Sequence, residues 1–548
     1  MTRLEDLQNK AQLVQQYYSW ILDSDNVILE KQLDLSLVQT YNDPYIYYPE
    51  CMHDLFYTKS FQRLGRVSQL GSMFPYYPGA YHTRLQHSMG TFSRKQEEHI
   101  YLWKYNPNFV NYVESNDLKK FLIAEEIKML YHDVGHLPFS HISEQEIIGE
   151  KGFHEIIGQN IILTDPELTE IFSRLGILHE IKTVLHEDVF NSTEHDEGNI
   201  DVDRKDFLQR DSLHVGGPCF AYYPIYTRKF AEINCDGSYK KSAHGNIILS
   251  DTLGDNSRFI DIYSYSDFDK IETFLNERQN QYNNKYYHPS TLAQDTILGF
   301  VLKNAASENK NLCPDLAEYI GYLKTGDYKS AIKYDDVRIY KSLINLALNC
   351  TDPNVVDLVS LLFSPFDNWL ETMYEQLDKV KDAEFISIIH KTLIKGTTRF
   401  ATNIKNRNFF NKNIIICEGE HASELKSKGF SDLIYNSHAT SAYSTTSPIF
   451  IEDKNNLVYP LEDHPERSRN WLDTRTHSHV AICILPLLRL KGLTPDEITN
   501  YIIKCSKKQA NISISSSLTP SVNMRHFQTG HDISDYFLPS EEDINSYR

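Results

Sequence analysis

Three histidines and an aspartate fall within residues 131–141, YHDVGHLPFSH, beside Gly135 and Pro138. Upstream stands His82-Thr-Arg84-Leu-Gln-His87; downstream come His154-Glu155 and Asp201-Val-Asp203-Arg204. Imidazole and carboxylate are the ligands of hard or borderline divalent cations. A His/His/Asp/Asp set without thiolate suits Mg, Mn or Fe, and Zn is also within its chemistry. Such a cation turns bound water into a hydroxide source at neutral pH, and spare imidazoles beside it can carry protons. A lone His-Asp pair arises by chance; the ordered series is far more specific. The chemistry it suggests is metal-assisted hydrolysis of an anionic substrate.

The elements that must position these groups read as helices. LQNKAQLVQQYYSWIL near the N-terminus has helical spacing, and helix is expected over residues 1–37. Asp43 and Pro44 break it and start an extended stretch. SFQRLGRVSQLG (60–71) reads as helix ended by Gly71, and a further helix begins near residue 84. DLKKFLIAEEIKMLYHD (117–133) is amphipathic, with Asp117 expected as N-cap and Ile123, Ile127, Leu130 and Tyr131 on one face. Its C-terminal end carries His132 and Asp133. Further helices are expected over 143–164, 166–186, 203–211, 267–282, 290–306, 314–323, 340–349, 354–379 and 385–395, interrupted by an acidic loop at 186–199. After about residue 400 the pattern changes. NIIICEG (413–419) reads as a strand, 447–461 as a hairpin around DKNN, 477–488 as a strand and 494–505 as a helix. The fold class expected is mainly α. An N-terminal helical extension (1–37) precedes a helical domain (38–400) and a smaller α/β region with a loosely ordered tail (401–548).

Composition narrows the setting. The chain has 548 residues, 41% of them hydrophobic, enough for a sizeable core. No run of about 18 apolar residues suggests a membrane span, and the charged N-terminus is unlike a secretory signal. Cys51, Cys219, Cys235, Cys313, Cys350, Cys417, Cys483 and Cys505 are scattered, with no CxxC pair, as in reduced cytoplasmic proteins. A net charge of −19 argues against a broad basic face for duplex nucleic acid. Binding an anionic substrate then demands local positive charge from a metal ion and a few arginines.

The order His87, His132-Asp133, Asp203 resembles the HD-domain metal phosphohydrolases. The segments FQRLGRVSQLG, YPGAYHTRLQHSMG, HDVGHLPFSH and IDVDRKDFLQRD are similar, in the same order, to the deoxynucleoside triphosphate triphosphohydrolases of that superfamily, which include bacterial dGTPases. The similarity covers roughly residues 40–300, and nothing in the chain looks like a SAM domain. The resemblance implies that His87, His132, Asp133 and Asp203 hold a divalent metal. It implies that His136, His141 and His154 surround the phosphates, His141 being the general acid and Glu144, one helical turn on, its support. Arg84, Arg204 (in place of a lysine) and Arg278 match phosphate-gripping positions. Gln69 and Leu70 match the pair that binds the sugar 3′-hydroxyl and crowds C2′, where a ribose hydroxyl would be rejected. Asp211 matches a second 3′-hydroxyl acceptor and Tyr286 a tyrosine beside the sugar. The implied reaction is hydrolysis of a dNTP to deoxynucleoside and inorganic triphosphate by a self-associating cytoplasmic enzyme.

Several positions depart from that pattern. Phe207 replaces a phosphate-contacting tyrosine, and Tyr287 a base-facing glutamine. Asn42 and Gln62 match residues that touch an activating nucleotide, but Gly65 and Tyr57 replace an arginine and a guanine-reading aspartate there. These two replacements argue against guanine-nucleotide activation; a different activator, or none, is equally compatible. Alternatives stay open: another HD-type phosphohydrolase acting on a monophosphate or phosphodiester, or a nucleotide-sensing switch in antiviral defence. The pair His477 and His479 fits strand alternation as well as metal binding.

Overall fold

Apolar residues recur at helical spacing through most of the first two thirds of the chain, and the chain folds accordingly. The computed structural model describes residues 3–22, 35–38, 46–73, 77, 79–150, 152–187, 189–190, 200–216, 226–250, 256–286, 289–302, 311–363, 414–418, 434–435, 448–465 and 480–484. Residues 1–506 make one compact unit; the second, 507–548, lies outside the described residues. The order is α1 (Arg3–Leu22), β1 (Leu35–Val38), β2 (Ile46–Pro49), α2 (Lys59–Arg63), α3 (Arg84–Tyr105), α4 (Pro107–Ser115) and α5 (Lys119–Tyr131). Then come α6 (Phe153–Thr164), α7 (Pro166–Leu175), α8 (Leu178–Val184) and α9 (Val202–Val215). Strands β3 (Tyr226–Glu232), β4 (Leu249–Ser250) and β5 (Ser257–Tyr263) precede α10 (Phe268–Gln281), α11 (Pro289–Phe300), α12 (Pro314–Thr325), α13 (Asp336–Asn349) and α14 (Pro353–Phe363). Last are β6 (Ile414–Glu418), β7 (Ile434–Tyr435), β8 (Phe450–Glu452), β9 (Val458–Pro460) and β10 (Val480–Ile484). The fold is mainly α, as expected.

Local chemistry sets the ends of the helices that matter. α3 starts where the Gln86 side chain accepts from the Thr83 amide at 3.1 Å. Asp201 caps α9 by accepting from the Arg204 amide at 2.7 Å, so Asp203 and Arg204 fall in its first turn. Asp117 is not the cap of α5: it sits at φ 55°, inside the turn that links α4 to α5, and Leu118 takes the cap position. A short polar side chain tolerates that left-handed geometry, whereas an N-cap needs an extended one. The 60–71 helix is also shorter than expected, giving way to a 3-10 turn at Leu64–Arg66. The stretch after residue 141 is broken by a π turn at Glu144–Ile148 and by Gly149 and Gly152, both at positive φ.

The core is a continuous cluster around α1, α3 and α5. Phe56 and Phe92 meet edge to face at 5.6 Å, and Phe61 lies 5.4 Å from Tyr131. α1 is tied in by polar groups as well as apolar ones. The Tyr17 and Tyr18 hydroxyls donate to the fully buried Glu126 carboxylate at 2.8 and 2.6 Å, and His99 Nδ1 lies 3.0 Å from it.

Two further findings differ from the sequence reading. Residues 35–38 are a strand paired antiparallel with 46–49, not helix. Strands β3 and β5, which the sequence reading did not assign, pair antiparallel along their full length, and β8 adds in parallel through Ile262 and Tyr263. The sheet order β4-β3-β5-β8-β9 thus includes the expected 447–461 hairpin. The helices expected at 385–395 and 494–505, and Asn42, Tyr287, His477 and His479, lie outside the described residues. Among the described residues no helix is long and apolar enough to cross a membrane.

Gly135 fixes how α6 meets the turn after α5. A Cβ there would lie 2.0 Å from the His154 carbonyl oxygen and 2.4 Å from the Gly158 nitrogen, both backbone atoms that no rotamer change can move. Gly135→Ala should therefore destabilise the fold by about 1–3 kcal/mol in urea unfolding; unchanged stability would contradict this packing.

Candidate active site

Three helices deliver the first set of ligand types. His87 comes from α3, His132 and Asp133 from the end of α5, and Asp203 from the first turn of α9. His87 Nε2 is 2.9 Å from Asp203 Oδ1 and 3.7 Å from Asp133 Oδ2. His132 Nε2 is 3.3 Å from Asp133 Oδ1 and 3.6 Å from Asp203 Oδ1. The two Nε2 atoms themselves approach to 3.2 Å.

The outer nitrogens explain that approach. His87 Nδ1 is 2.8 Å from Asp206 Oδ2, and His132 Nδ1 is 2.8 Å from the Met129 carbonyl. Each outer partner accepts a hydrogen bond, so each ring carries its proton on Nδ1 and turns an Nε2 lone pair inward. Two lone pairs and the Asp133 carboxylate lie close enough together to hold a divalent cation, with Asp203 beside both rings. Burial opposes charge on His87, yet its bonds to Asp203 and Asp206 and the Asp133 charge outweigh it and lift its pKa to about 10. Burial would likewise raise Asp133, but the Arg84 guanidinium, 2.6 Å away, leads the groups that hold it well below the usual carboxylate range.

Asp206 had no role in the sequence reading, and it anchors this set. Arg210, one turn on, grips it through two hydrogen bonds of 2.8 and 2.7 Å, and both side chains are buried. α9 comes this close to α3 because residue 90 is glycine: a Cβ would sit 1.9 Å from Asp206 Oδ1. The available signal was the spacing Asp203-x-x-Asp206, one helical turn along the same face.

A second cluster adjoins the first through His136, whose Nε2 is 3.2 Å from Asp133 Oδ1. His136 Nδ1, His141 Nδ1 and His154 Nδ1 lie 3.4, 3.6 and 3.0 Å from the buried Glu144 carboxylate. Burial would raise the Glu144 pKa, but hydrogen bonds from the three imidazoles hold it far down, so it stays ionised. His136 stacks on His154 at 3.8 Å, and burial with the nearby Arg84 charge pushes its pKa down to about 3. His136 is thus a neutral ring, whereas the His141 side chain is 56% exposed and opens to the cavity.

The loop between the clusters is strained and well held. Phe139 and Ser140 have φ of 61° and 55°. Arg84 donates from Nε to Ser140 Oγ at 2.8 Å. Asp336 of α13 accepts from the Phe139 amide and the Ser68 amide, each at 2.9 Å. Arg63, fully buried, donates to the Tyr334, Val134 and His136 carbonyls. Neither Asp336 nor Arg63 was singled out by the sequence reading.

Both clusters line one cavity of about 1100 Å³, as do Gln69, Leu70, Arg84, Arg204, Asp211 and Tyr286. Asp211 accepts from the Tyr286 hydroxyl. Arg204 is ion-paired with Asp201, whose carboxyl burial lifts to about 7 against the pull of that arginine. Arg278 is not among the described lining residues; its guanidinium packs 5.9 Å from the ring of Tyr282, which is. Phe207 also lines the cavity, 6.4 Å from His87 ring to ring. Away from it, the Gln62 amide donates to the Phe56 carbonyl at 2.6 Å, and Tyr57 is 60% exposed. His186 and Glu187 of the acidic loop are described, residues 191–199 are not.

No protein-family profile matches the chain. It is 26% identical over 256 residues to the uncharacterized protein YwfO of Bacillus subtilis, covering 46% of this chain and 51% of that one. An HD domain-containing protein of Acanthamoeba polyphaga mimivirus is 30% identical over 182 residues, 29% of this chain and 39% of its own. The similarity is to HD-domain proteins. A deoxynucleoside triphosphate triphosphohydrolase, the SAMHD1 homologue of Dictyostelium discoideum, is 31% identical over 183 residues, 31% of this chain and 34% of its own. The chain spans about half the length of YwfO and less of the other two. The named relatives are an HD domain-containing protein and a triphosphohydrolase, and the donor set around His87 and His132 is one a divalent cation could use.

Metal binding at this centre competes with a proton on His87, whose pKa the carboxylates around it raise to about 10. Titration with manganese at pH 7 should release about one proton or more per ion, and apparent affinity should rise with pH. Binding with no proton release, read in a weakly buffered titration, would contradict this site.

Proposed function

We propose that the protein hydrolyses 2′-deoxynucleoside 5′-triphosphates to deoxynucleoside and inorganic triphosphate. One observation carries the reading: a single cavity wall holds the metal-ligand set, two arginines, the Glu144-backed imidazoles and, with them, Gln69, Leu70, Asp211 and Tyr286. The first groups suit a phosphate chain and the last four a sugar. The relatives named deoxynucleoside triphosphate triphosphohydrolase point the same way.

His87, His132, Asp133 and Asp203 would hold the cation, which when bound supplies a water of lowered pKa and offsets phosphate charge. Its identity is left open among Mg, Mn and Fe, with Zn also compatible. Arg84, braced by Asp133 and Ser140, and Arg204, at the N-terminus of α9, face the phosphates. Water attacks the α-phosphorus, the bond from that phosphorus to the 5′-oxygen breaks, and the departing oxygen takes a proton. His141 is the donor: it faces the cavity, with the Glu144 carboxylate 3.6 Å from its Nδ1. His136, with both ring nitrogens facing carboxylates, would stand beside the phosphates, and His154 holds Glu144 from the other side.

At the sugar end the Gln69 side-chain oxygen is buried with no hydrogen-bond partner, an acceptor ready for a hydroxyl. Leu70 beside it would leave a 2′-hydroxyl unpaired against an apolar wall. Self-association and a nucleotide activator are part of the same proposal, by resemblance to dNTP triphosphohydrolases; the Gln62 amide, already bonded to Phe56, weighs against an activator site like the family's.

His141→Ala should lower kcat by about 10²- to 10⁴-fold while KM stays near the parental value. Steady-state kinetics with a saturating divalent metal would read both. A rise in KM with kcat preserved would remove His141 from the acid's role.

A further inference from the structure

His82 opens the His82-Thr-Arg84-Leu-Gln-His87 stretch, yet the hydrolysis above gives it no part. It is 1% exposed, and its Nε2 lies 2.7 Å from Asp211 Oδ1. The other Asp211 oxygen accepts from the Tyr286 hydroxyl. Tyr286 itself lines the cavity, His82 does not, and each carboxylate oxygen keeps a second lone pair. The Asp211 carboxylate is therefore clamped from two sides with acceptor capacity to spare.

The backbone of His82 serves the other acceptor. Its carbonyl takes the Gln69 amide at 3.1 Å. Ser68 pairs with Thr83 in an antiparallel bridge, and the Arg84 amide donates to the Val67 carbonyl at 3.0 Å. Segments 67–69 and 82–84 thus form a short ladder that carries Gln69 and His82 side by side. The ring is held by a stack on His214, 4.2 Å away and 18° from parallel. His214 in turn lies 3.1 Å, Nδ1 to oxygen, from the Gly79 carbonyl. His82 Nδ1 is buried and has no hydrogen-bond partner. A chain that leaves one ring nitrogen unsatisfied in the interior keeps that ring for what the other nitrogen does.

We infer that His82 is the positioning residue for the sugar 3′-hydroxyl: its ring aims Asp211, its backbone carbonyl sets Gln69, and both acceptors converge because one residue holds them. The inference rests on the deoxynucleotide reading and names which residue makes that reading selective for a 3′-hydroxyl. It assigns His82 no contact with phosphate, metal or the reacting atoms, so the effect of its loss must vanish when the substrate lacks a 3′-hydroxyl.

The test compares KM for a dNTP and for the matching 2′,3′-dideoxynucleotide. The parent should favour the dNTP by about tenfold or more, the value of a hydrogen bond to a charged group. His82→Phe keeps the stack on His214 and removes Nε2; its preference should fall to within about twofold, with KM for the dideoxynucleotide unchanged. His82→Gln, whose amide reaches Asp211, should restore the preference. His82→Asn, whose amide falls short, should behave like His82→Phe and keeps the test decisive if the phenylalanine variant fails to fold. Full preference in His82→Phe or His82→Asn would overturn the inference while leaving the deoxynucleotide reading intact. A parent that does not distinguish the two nucleotides would overturn that reading, and the inference with it.

Discussion

The hydrogen bond between His87 Nδ1 and Asp206 constrains three helices at once. It requires α9 to lie against α3 closely enough that residue 90 has no room for a side chain. It fixes the His87 ring so that its free lone pair points at Asp133 and Asp203. Arg210 keeps Asp206 ionised and in place. The apolar packing of Phe92, Phe61 and Tyr131 brings α3 and α5 together, but it is this polar contact that decides which atoms face the centre. A tautomer slip at either histidine would turn a proton toward the other ring across 3.2 Å.

Charge divides the cavity along its length. The chain as a whole carries −19, yet the cavity gathers Arg84, Arg204 and ligand types for a divalent cation. The carboxylates there are held ionised by cations and imidazoles, as the depressed Asp133 and Glu144 show. Elsewhere in the cavity Asp211 is held by His82 and Tyr286, and Leu70 offers apolar surface.

Much of this centre was legible because metal and proton chemistry demand particular side chains at particular helix ends. His132 and Asp133 close an amphipathic helix, and Asp203 opens another, as their neighbours' periodicity and the Asp201 cap imply. Less legible was whatever depends on approach between distant segments. Asp206 and Asp336 are ordinary helical aspartates until α3 and the 137–141 loop come into reach of them. Gly90 and Gly135 look like any glycine until a neighbouring backbone or carboxylate occupies the place of their Cβ. Strands β3 and β5 escaped notice because charged residues punctuate them: Arg228 and Asp261 pair with each other inside the sheet region, at 2.7 Å. Asp117 illustrates a local ambiguity, since the same side chain suits an N-cap and a left-handed turn.

The central claim is that water attacks the α-phosphorus and the whole triphosphate leaves as one product. Hydrolysis of a dNTP in oxygen-18 water, followed by mass spectrometry of both products, tests it directly. The account predicts unlabelled deoxynucleoside and inorganic triphosphate carrying a single labelled oxygen. Pyrophosphate or orthophosphate as the first product, or label in the nucleoside, would contradict it.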